Sequence, residues 1–186
     1  MMNLFPHALG ARVGHPRLVV QPNEKAVVFV KREVNRKLRV ALDKLVKKDC
    51  FLLTNDVNER SISHKLAEHL SVEFKKWDVD CEYNRDGHLP KRLQGIGQEA
   101  PAPMDDTEGK TVYPDIIVHK RGNPNKKPYL NNLLVVEVKK ASNPDGIDFD
   151  RQKLQAFKKE LGYRYAASII FRNTGVKKPY KLKWEE

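Results

Sequence analysis

The sequence predicts an α/β protein whose central sheet is mixed and flanked by helices. From Val57 onward, the residue patterns run in the order helix, strand, strand, strand, helix, strand. Two β-branched runs within residues 113–139 flank a segment rich in Gly, Asn and Pro, which indicates an antiparallel hairpin with a long loop. The last helix and strand should form a right-handed crossover that returns the chain parallel to the hairpin. Antiparallel and parallel pairs would then share one sheet.

The first helix and strand of this order have clear periodicity. Residues 57–75 are predicted to be helical because Ile62, Leu66, Leu70 and Phe74 recur every four residues and define an apolar stripe. Residues 78–83 alternate as a strand, with one face formed by Val79, Cys81 and Tyr83.

The hairpin register brings charged side chains together. If the turn is centred near Asn125 or Lys126, Asp115 lies opposite Glu137. Strand side chains alternate between faces, so Lys139 shares the face of Glu137, and cross-strand pairing adds Asp115 to it. The sequence therefore predicts two carboxylates and an ammonium group at one end of the hairpin.

The remaining elements follow the hairpin. A helix is predicted over residues 149–161, with Gly162 as its stop. The apolar run 165–171 is typical of a buried strand. Residues 180–184 are expected to add an edge strand.

Residues 1–56 are interpreted as an N-terminal extension packed on a core domain of residues 57–186. Within it, residues 17–21 and 26–30 flank a turn and predict a small hairpin. Residues 34–47 have helical spacing and a basic outer face, for which a solvated surface is a simpler explanation than nucleic-acid contact.

Residues 84–111 show no periodicity. The first half of this stretch is basic, including Arg85, Lys91 and Arg92, and the second half is acidic. A connection of this length in a compact domain is either functional or disordered.

Composition narrows the class of partner. Thirty-five Lys and Arg residues against 24 Asp and Glu give a formal charge of +11, which favours a polyanionic partner such as nucleic acid. Two cysteines form neither a disulfide framework nor a metal-ligand spacing, so a cytoplasmic location is expected. No apolar run reaches the length of a membrane span. The sequence does not decide whether the protein forms a homodimer.

The hairpin motif, Pro114-Asp115 with Glu137-Val138-Lys139, resembles the active-site motif of the PD-(D/E)xK nuclease superfamily. The order of elements over residues 57–171 is similar to the αβββαβ core of that superfamily, the restriction-endonuclease-like fold. Residues 78–85, the Lys91-Arg92 pair and the hairpin also resemble an uncharacterised bacterial group within it.

The resemblance implies a set of roles. Asp115, Glu137 and the Val138 carbonyl would bind Mg²⁺, for which Mn²⁺ should substitute, and Lys139 would hold or polarise the attacking water. Glu59 matches an extra acidic residue that many members carry on the first core helix, where it would help to hold the metal. The spacing of Asp56 and Glu59 fits equally well a capping box, which would only stabilise the start of the helix.

Nucleic-acid contacts are expected from Arg85, Lys91, Arg92 and Lys153. Lys153 lies early on the second core helix, where family members often place a polar residue. It also forms an ordinary i,i+3 pair with Asp150, which is the simpler interpretation.

Three classes of function fit the sequence. The first is a metal-dependent nuclease that hydrolyses phosphodiester bonds in DNA, with RNA as the less expected substrate. The second is a non-cleaving nucleic-acid-binding module of the same fold, and the third is a basic protein-interaction domain whose hairpin charges are structural.

Overall fold

The computed structural model describes residues 24–55, 57–86, 89–90, 92–93, 110–121, 128–172 and 179–186. Its elements are α1 (Glu24–Lys48), α2 (Cys50–Thr54), α3 (Glu59–Glu73), β1 (Asp78–Cys81), β2 (Arg85–Asp86), β3 (Leu89–Pro90), β4 (Arg92–Leu93), β5 (Lys110–Thr111), β6 (Ile116–His119), α4 (Pro128–Asn131), β7 (Asn132–Lys140), α5 (Ile147–Leu161), β8 (Tyr165–Phe171) and β9 (Tyr180–Glu185). No helix in these ranges is long and apolar enough to cross a membrane.

The central sheet is mixed, as predicted. Within the described ranges it has five strands in the order β1-β6-β7-β8-β9. β6 pairs antiparallel with β1 and β7, β9 pairs antiparallel with β8, and β7 runs parallel to β8. The order helix, strand, strand, strand, helix, strand is confirmed along the sheet by α3, β1, β6, β7, α5 and β8. The last helix begins at Ile147, two residues before the predicted start.

The hairpin of β6 and β7 has the predicted register. Ile116 pairs with Val136 and Ile117 with Val135, so the next pair outward is Asp115 with Glu137. The register shifts between Val118 and His119, near the loop. The hairpin loop itself, residues 122–127, lies outside the described residues.

Alternating side chains of the sheet supply two separate apolar cores. One face packs against α1 and α3 through residues that include Leu38, Leu42, Leu66 and Val136. The other face packs against α5. Even-numbered β7 residues from Leu134 to Val138 lie on the first face, so Glu137 and Lys139 project toward α5.

The N-terminal hairpin prediction is wrong for its second strand. Residues 26–30 belong to α1, a helix of 25 residues. A short apolar run fits a buried helix as well as a strand, and here the helical pattern of the following residues extends back through it. Residues 17–21, the first predicted strand, lie outside the described residues. The boundary at residue 56 stays a prediction.

Two local predictions before the hairpin are also corrected. Tyr83 packs on the α5 side rather than with Val79 and Cys81, because Glu82 has a left-handed backbone (φ 49°) that breaks the alternation. The α3 N-cap is Asn58, whose side chain accepts a hydrogen bond from the Ser61 N–H at 2.9 Å. Asp56, the predicted cap, lies outside the described residues.

The aperiodic stretch after β1 contains short strand pairs that its sequence did not indicate. β2 pairs with β3, and β4 pairs with β5. Leu93, within this stretch, and Val112, directly after it, are buried in the core beside α5 and anchor the stretch there. Farther along, Gly162 ends α5 with a left-handed backbone (φ 66°), and the strands at Tyr165–Phe171 and Tyr180–Glu185 agree with their predictions.

Candidate active site at the end of the hairpin

Three segments meet where β7 ends: the start of α3, the residues before β6 and the start of α5. Asp115 lies directly before β6, and its Oδ2 accepts a hydrogen bond from the backbone N–H of Val138 at 2.7 Å. Glu137 and Lys139 flank Val138 on β7. The sequence-predicted residues Asp115, Glu137 and Lys139 are therefore brought to one end of the sheet.

Glu137 is the most buried charged group of this cluster, with 2% of its surface exposed. Its Oε2 lies 2.8 Å from the Lys153 ammonium group. Its Oε1 is buried and accepts no hydrogen bond from the described residues. Burial raises the pKa of Glu137 well above its ordinary value, against the opposing effect of Lys153. This carboxylate can accommodate a further cation or donor.

Asp115 has a milder version of the same environment. Burial raises its pKa, while the Val138 N–H and the Lys153 ammonium act in the opposite direction. Two carboxyl groups with raised pKa values at one site are a recognised mark of functional sites, although structural ion pairs can produce the same shift.

Lys153, predicted to contact nucleic acid, is directed into the cluster. Its side chain is 11% exposed, and its ammonium group lies 3.5 Å from Asp150 Oδ1 as well as beside Glu137. Burial lowers the pKa of Lys153, but the carboxylates of Glu137, Asp150 and Asp115 together outweigh burial and leave it raised. A role in nucleic-acid contact stays a prediction.

Asp150 is a site residue that the sequence did not indicate. It is 9% exposed, and its Oδ2 lies 3.4 Å from the Lys139 ammonium group. The expected i,i+3 pair with Lys153 is present, but it faces the sheet rather than solvent. A charged pair in the first two turns of a helix was the available signal, and it is also typical of surface helices.

Lys139 lies between two carboxylates. Its ammonium group is 3.5 Å from Glu59 Oε2 and 3.4 Å from Asp150 Oδ2. Burial lowers its pKa, but Asp150 and Glu59 together leave the pKa raised. Lys139 is therefore a cation at neutral pH and is suited to stabilise negative charge, not to act as a base.

Glu59 connects α3 to the end of β7. Its Oε1 accepts a hydrogen bond from the Lys140 backbone N–H at 2.9 Å, and its Oε2 is the oxygen nearest Lys139. It is the first residue of the helix and Asn58 is the cap, so the predicted capping box with Asp56 is not the arrangement described here. The role of Glu59 as a metal ligand stays a prediction.

Gly146 forms the turn that leads into α5, near Lys139. It precedes the helix with a left-handed backbone (φ 79°), a conformation that favours glycine. A Cβ at this position would lie 4.0 Å from the Lys139 Nζ, which is an ordinary van der Waals contact. The backbone conformation, and not the space, therefore favours glycine at this turn.

The oxygen atoms at the hairpin end suit a hard divalent cation in their chemistry. Among the residues that the structure describes, no group of three or more His, Cys, Asp or Glu side chains is arranged to hold a metal ion. Asp115 and Glu137 supply two carboxylates, and Glu137 Oε1 lacks a donor. The Val138 carbonyl is a third candidate, because the N–H and C=O of a strand residue point to the same edge and its N–H meets Asp115.

The other predicted contact residues are less well defined. Arg85 begins β2 and Arg92 begins β4, but only their backbone placement is described. Lys91 lies outside the described residues. Their roles in binding nucleic acid stay predictions.

Comparison of this chain with protein-family models, curated proteins and solved structures finds no match. The class of site is therefore argued from its geometry alone.

Glu137 should make stability depend on pH. Its folded pKa lies above the ordinary value of 4.5, so its favourable contribution is fully present below about 4.5 and is lost as pH rises toward the folded pKa. Relative to Glu137→Gln, the wild type should gain unfolding free energy as pH falls from neutral toward 4.5, by up to about 1.4 kcal/mol per unit of pKa shift.

Denaturant unfolding at several pH values measures this difference, and Asp145→Asn, at an exposed turn near α5, controls for the loss of one carboxylate. A difference between wild type and Glu137→Gln that does not change with pH would contradict the assignment of a raised pKa.

Proposed function

We propose that the protein is a metal-dependent nuclease of the PD-(D/E)xK superfamily, with a restriction-endonuclease-like core, that hydrolyses phosphodiester bonds in DNA. RNA is the alternative substrate. The observation that carries the proposal is the meeting of Asp115, Glu137 and Lys139 at one end of a mixed sheet, with Glu59 beside them. The order of elements around the hairpin and the formal charge of +11 support it.

Phosphodiester hydrolysis needs a neutralised phosphate, an activated water and a stabilised leaving oxygen. Mg²⁺, with Mn²⁺ as a substitute, would be held by Asp115, Glu137 and the Val138 carbonyl and would supply charge neutralisation and a water of lowered pKa. In this chain, the Val138 N–H fixes one oxygen of Asp115 at 2.7 Å.

Lys139 supplies the cationic group of the reaction. Its raised pKa keeps it protonated, so it can orient the attacking water and offset negative charge as that charge develops on the phosphate. Glu59 and Asp150 hold the ammonium group from two sides. Fixing the ammonium before the substrate arrives reduces the reorganisation needed in the transition state.

Lys153 positions Glu137. Its ammonium group opposes the effect of burial and favours the ionised form of a carboxylate that would otherwise take up a proton. Because Lys153 also contacts Asp150, it links the β7 carboxylate to the α5 side of the site. Lys153 is therefore a positioning residue in this proposal.

A non-cleaving nucleic-acid-binding module of the same fold is the second candidate, and one observation favours it. Lysines of the chain itself already offset part of the negative charge: Lys153 pairs with Glu137, and Lys139 pairs with Glu59 and Asp150. These ion pairs reduce the need of the site for an added cation. Cleavage assays separate the two candidates.

Lys139→Ala should abolish cleavage while preserving nucleic-acid binding. Loss of a charge that acts on the transition state should reduce the rate by about 100-fold or more. The measurement is cleavage of single-stranded and duplex DNA and of RNA with Mg²⁺, Mn²⁺ or EDTA. Lys140→Ala is the matched control, because it removes the neighbouring ammonium but keeps the backbone N–H that donates to Glu59.

Two results would count against the nuclease proposal. Wild-type protein that binds nucleic acid but does not cleave it with either metal would favour the binding module. Lys139→Ala protein that cleaves as fast as Lys140→Ala would remove the lysine from the chemistry.

Glu59→Gln should reduce cleavage and raise the Mg²⁺ concentration required, with little change in melting temperature. Glutamine keeps an oxygen that can accept from the Lys140 N–H but removes the charge beside Lys139. The measurement is the rate as a function of Mg²⁺ concentration, with Glu73→Gln at the other end of α3 as the control. An unchanged rate and Mg²⁺ dependence would leave Glu59 with a structural role only.

Nucleic-acid binding should weaken steeply as the salt concentration rises. The chain has 35 basic and 24 acidic residues, and its binding should release counterions from the phosphates. If the protein contacts two or more phosphates, raising the salt concentration from about 50 to 200 mM should reduce its affinity by about tenfold or more. Fluorescence anisotropy with labelled DNA and RNA in EDTA measures this dependence. Affinity that is independent of salt, or absent at low salt, would favour a protein-interaction domain.

A further inference from the structure

A small cavity opens beside Asp115 on the α3 side of the sheet end. Its volume is about 240 Å³, and it is lined by Arg60, Ser63, His64, Cys81, Glu82 and Asp115. Ligand pockets for drug-sized molecules occupy roughly 300–1,000 Å³. This cavity has room for one small ring system and not for a whole nucleotide.

Ser63 lines the cavity and carries a buried hydroxyl without a partner among the described residues. The residue is 3% exposed, and its Oγ has no hydrogen-bond partner among the described residues. A buried hydroxyl without a partner destabilises a protein, because its hydrogen bonds to water are lost and not replaced. A ligand in the cavity could supply the missing donor or acceptor after a small rotation of the side chain.

The charges around the cavity largely cancel. Arg60 Nε lies 2.8 Å from Glu82 Oε1, and His64 Nε2 lies 3.1 Å from Glu68 on the outer face of α3. Asp115 adds negative charge on the side of the candidate active site. A free phosphate would meet two carboxylates here, so a neutral group that forms hydrogen bonds fits better.

The backbone joins this cavity to the active-site segment. Glu82, the ion-pair partner of Arg60, has a left-handed backbone, and its N–H donates to the Pro114 carbonyl at 3.0 Å. A left-handed backbone at a residue other than glycine costs free energy and is often found at functional sites. This conformation holds Glu82, and with it the ion pair to Arg60, in place relative to Asp115.

We propose that this cavity receives one unpaired nucleobase of the substrate strand, next to the phosphodiester that lies at Asp115 and Glu137; the inference rests on the proposed function. The planar guanidinium of Arg60 provides a surface on which a base can stack, and the Ser63 hydroxyl can pair with a base edge. A base within a duplex would first have to leave the stack, which costs free energy. The protein therefore prefers single-stranded or locally unpaired substrates.

Cys81 provides a direct reporter, because it lines the cavity. In a Cys50→Ser background, which removes the exposed thiol of α2, alkylation of Cys81 by N-ethylmaleimide is followed by mass spectrometry in EDTA. Burial raises the pKa of Cys81 to about 11, so the reaction is slow and is followed over hours at mildly alkaline pH. The probes are a single-stranded oligonucleotide and an abasic strand of the same length, with equal backbone charge. The normal strand should slow alkylation in proportion to its occupancy, and the abasic strand at equal occupancy should not.

Ser63→Ala tests the hydrogen bond to the base. It should weaken binding of the normal strand by roughly two- to tenfold, as expected for loss of one hydrogen bond, and leave the abasic strand unaffected. Ser71→Ala, at an exposed position near the other end of α3, is the control. The melting temperature of Ser63→Ala should not fall, because the substitution removes an unpartnered hydroxyl.

The outcomes separate this inference from the proposed function. Equal protection of Cys81 by both strands, or none at saturation, overturns the base pocket even if the protein cleaves nucleic acid. Protection of Cys81 by the normal strand alone, without cleavage in Mg²⁺ or Mn²⁺, supports the base pocket and argues against a nuclease. Failure of both strands to bind overturns the base pocket, and cleavage of duplex DNA or RNA with Mg²⁺ or Mn²⁺ then decides the nuclease proposal separately.

Discussion

The end of the hairpin depends on the neutralisation of one carboxylate buried in the central strand. Glu137 on β7 is 2% exposed, and the Lys153 ammonium group at 2.8 Å compensates its charge. Removing one partner of a buried ion pair usually costs about 3–5 kcal/mol, because the other charge stays buried. The start of α5 is consequently fixed against β7, and Asp150 is carried to Lys139 with it.

Around this pair, the chain retains polar groups that an apolar core would not need. Glu137 Oε1 and Ser63 Oγ are both buried without a partner in the described part of the chain. Each such group lowers the net stability of the fold. Proteins depart from consistent packing mainly where function requires it, so these two groups near Asp115 support the proposal that this end of the sheet carries the functional site.

The sequence was sufficient to predict the features that depend on the alternation of side chains and on turn residues. It did not predict the features that depend on how side chains pack. The alternation of β7 and the turn-rich loop were sufficient to fix the Ile116–Val136 register and the shared face of Glu137 and Lys139. The inward direction of Asp150 was missed because an i,i+3 pair on a helix has the same pattern when it faces solvent. The left-handed backbone of Glu82 has no signal at all, since glutamate rarely adopts it.

The cluster is built from contacts that are distant along the chain. The Glu59–Lys140 hydrogen bond spans 81 residues, and α1 is bonded to β9 by Trp184 donating to Asn35 at 3.2 Å. The chain must close these long loops before the contacts can stabilise it, and this requirement slows folding. During synthesis, Asp150 and Lys153 can therefore reach Lys139 and Glu137 only after α5 has emerged. A chain interrupted before α5 contains the hairpin motif but lacks Asp150 and Lys153, so the charged cluster is complete only when α5 has been added.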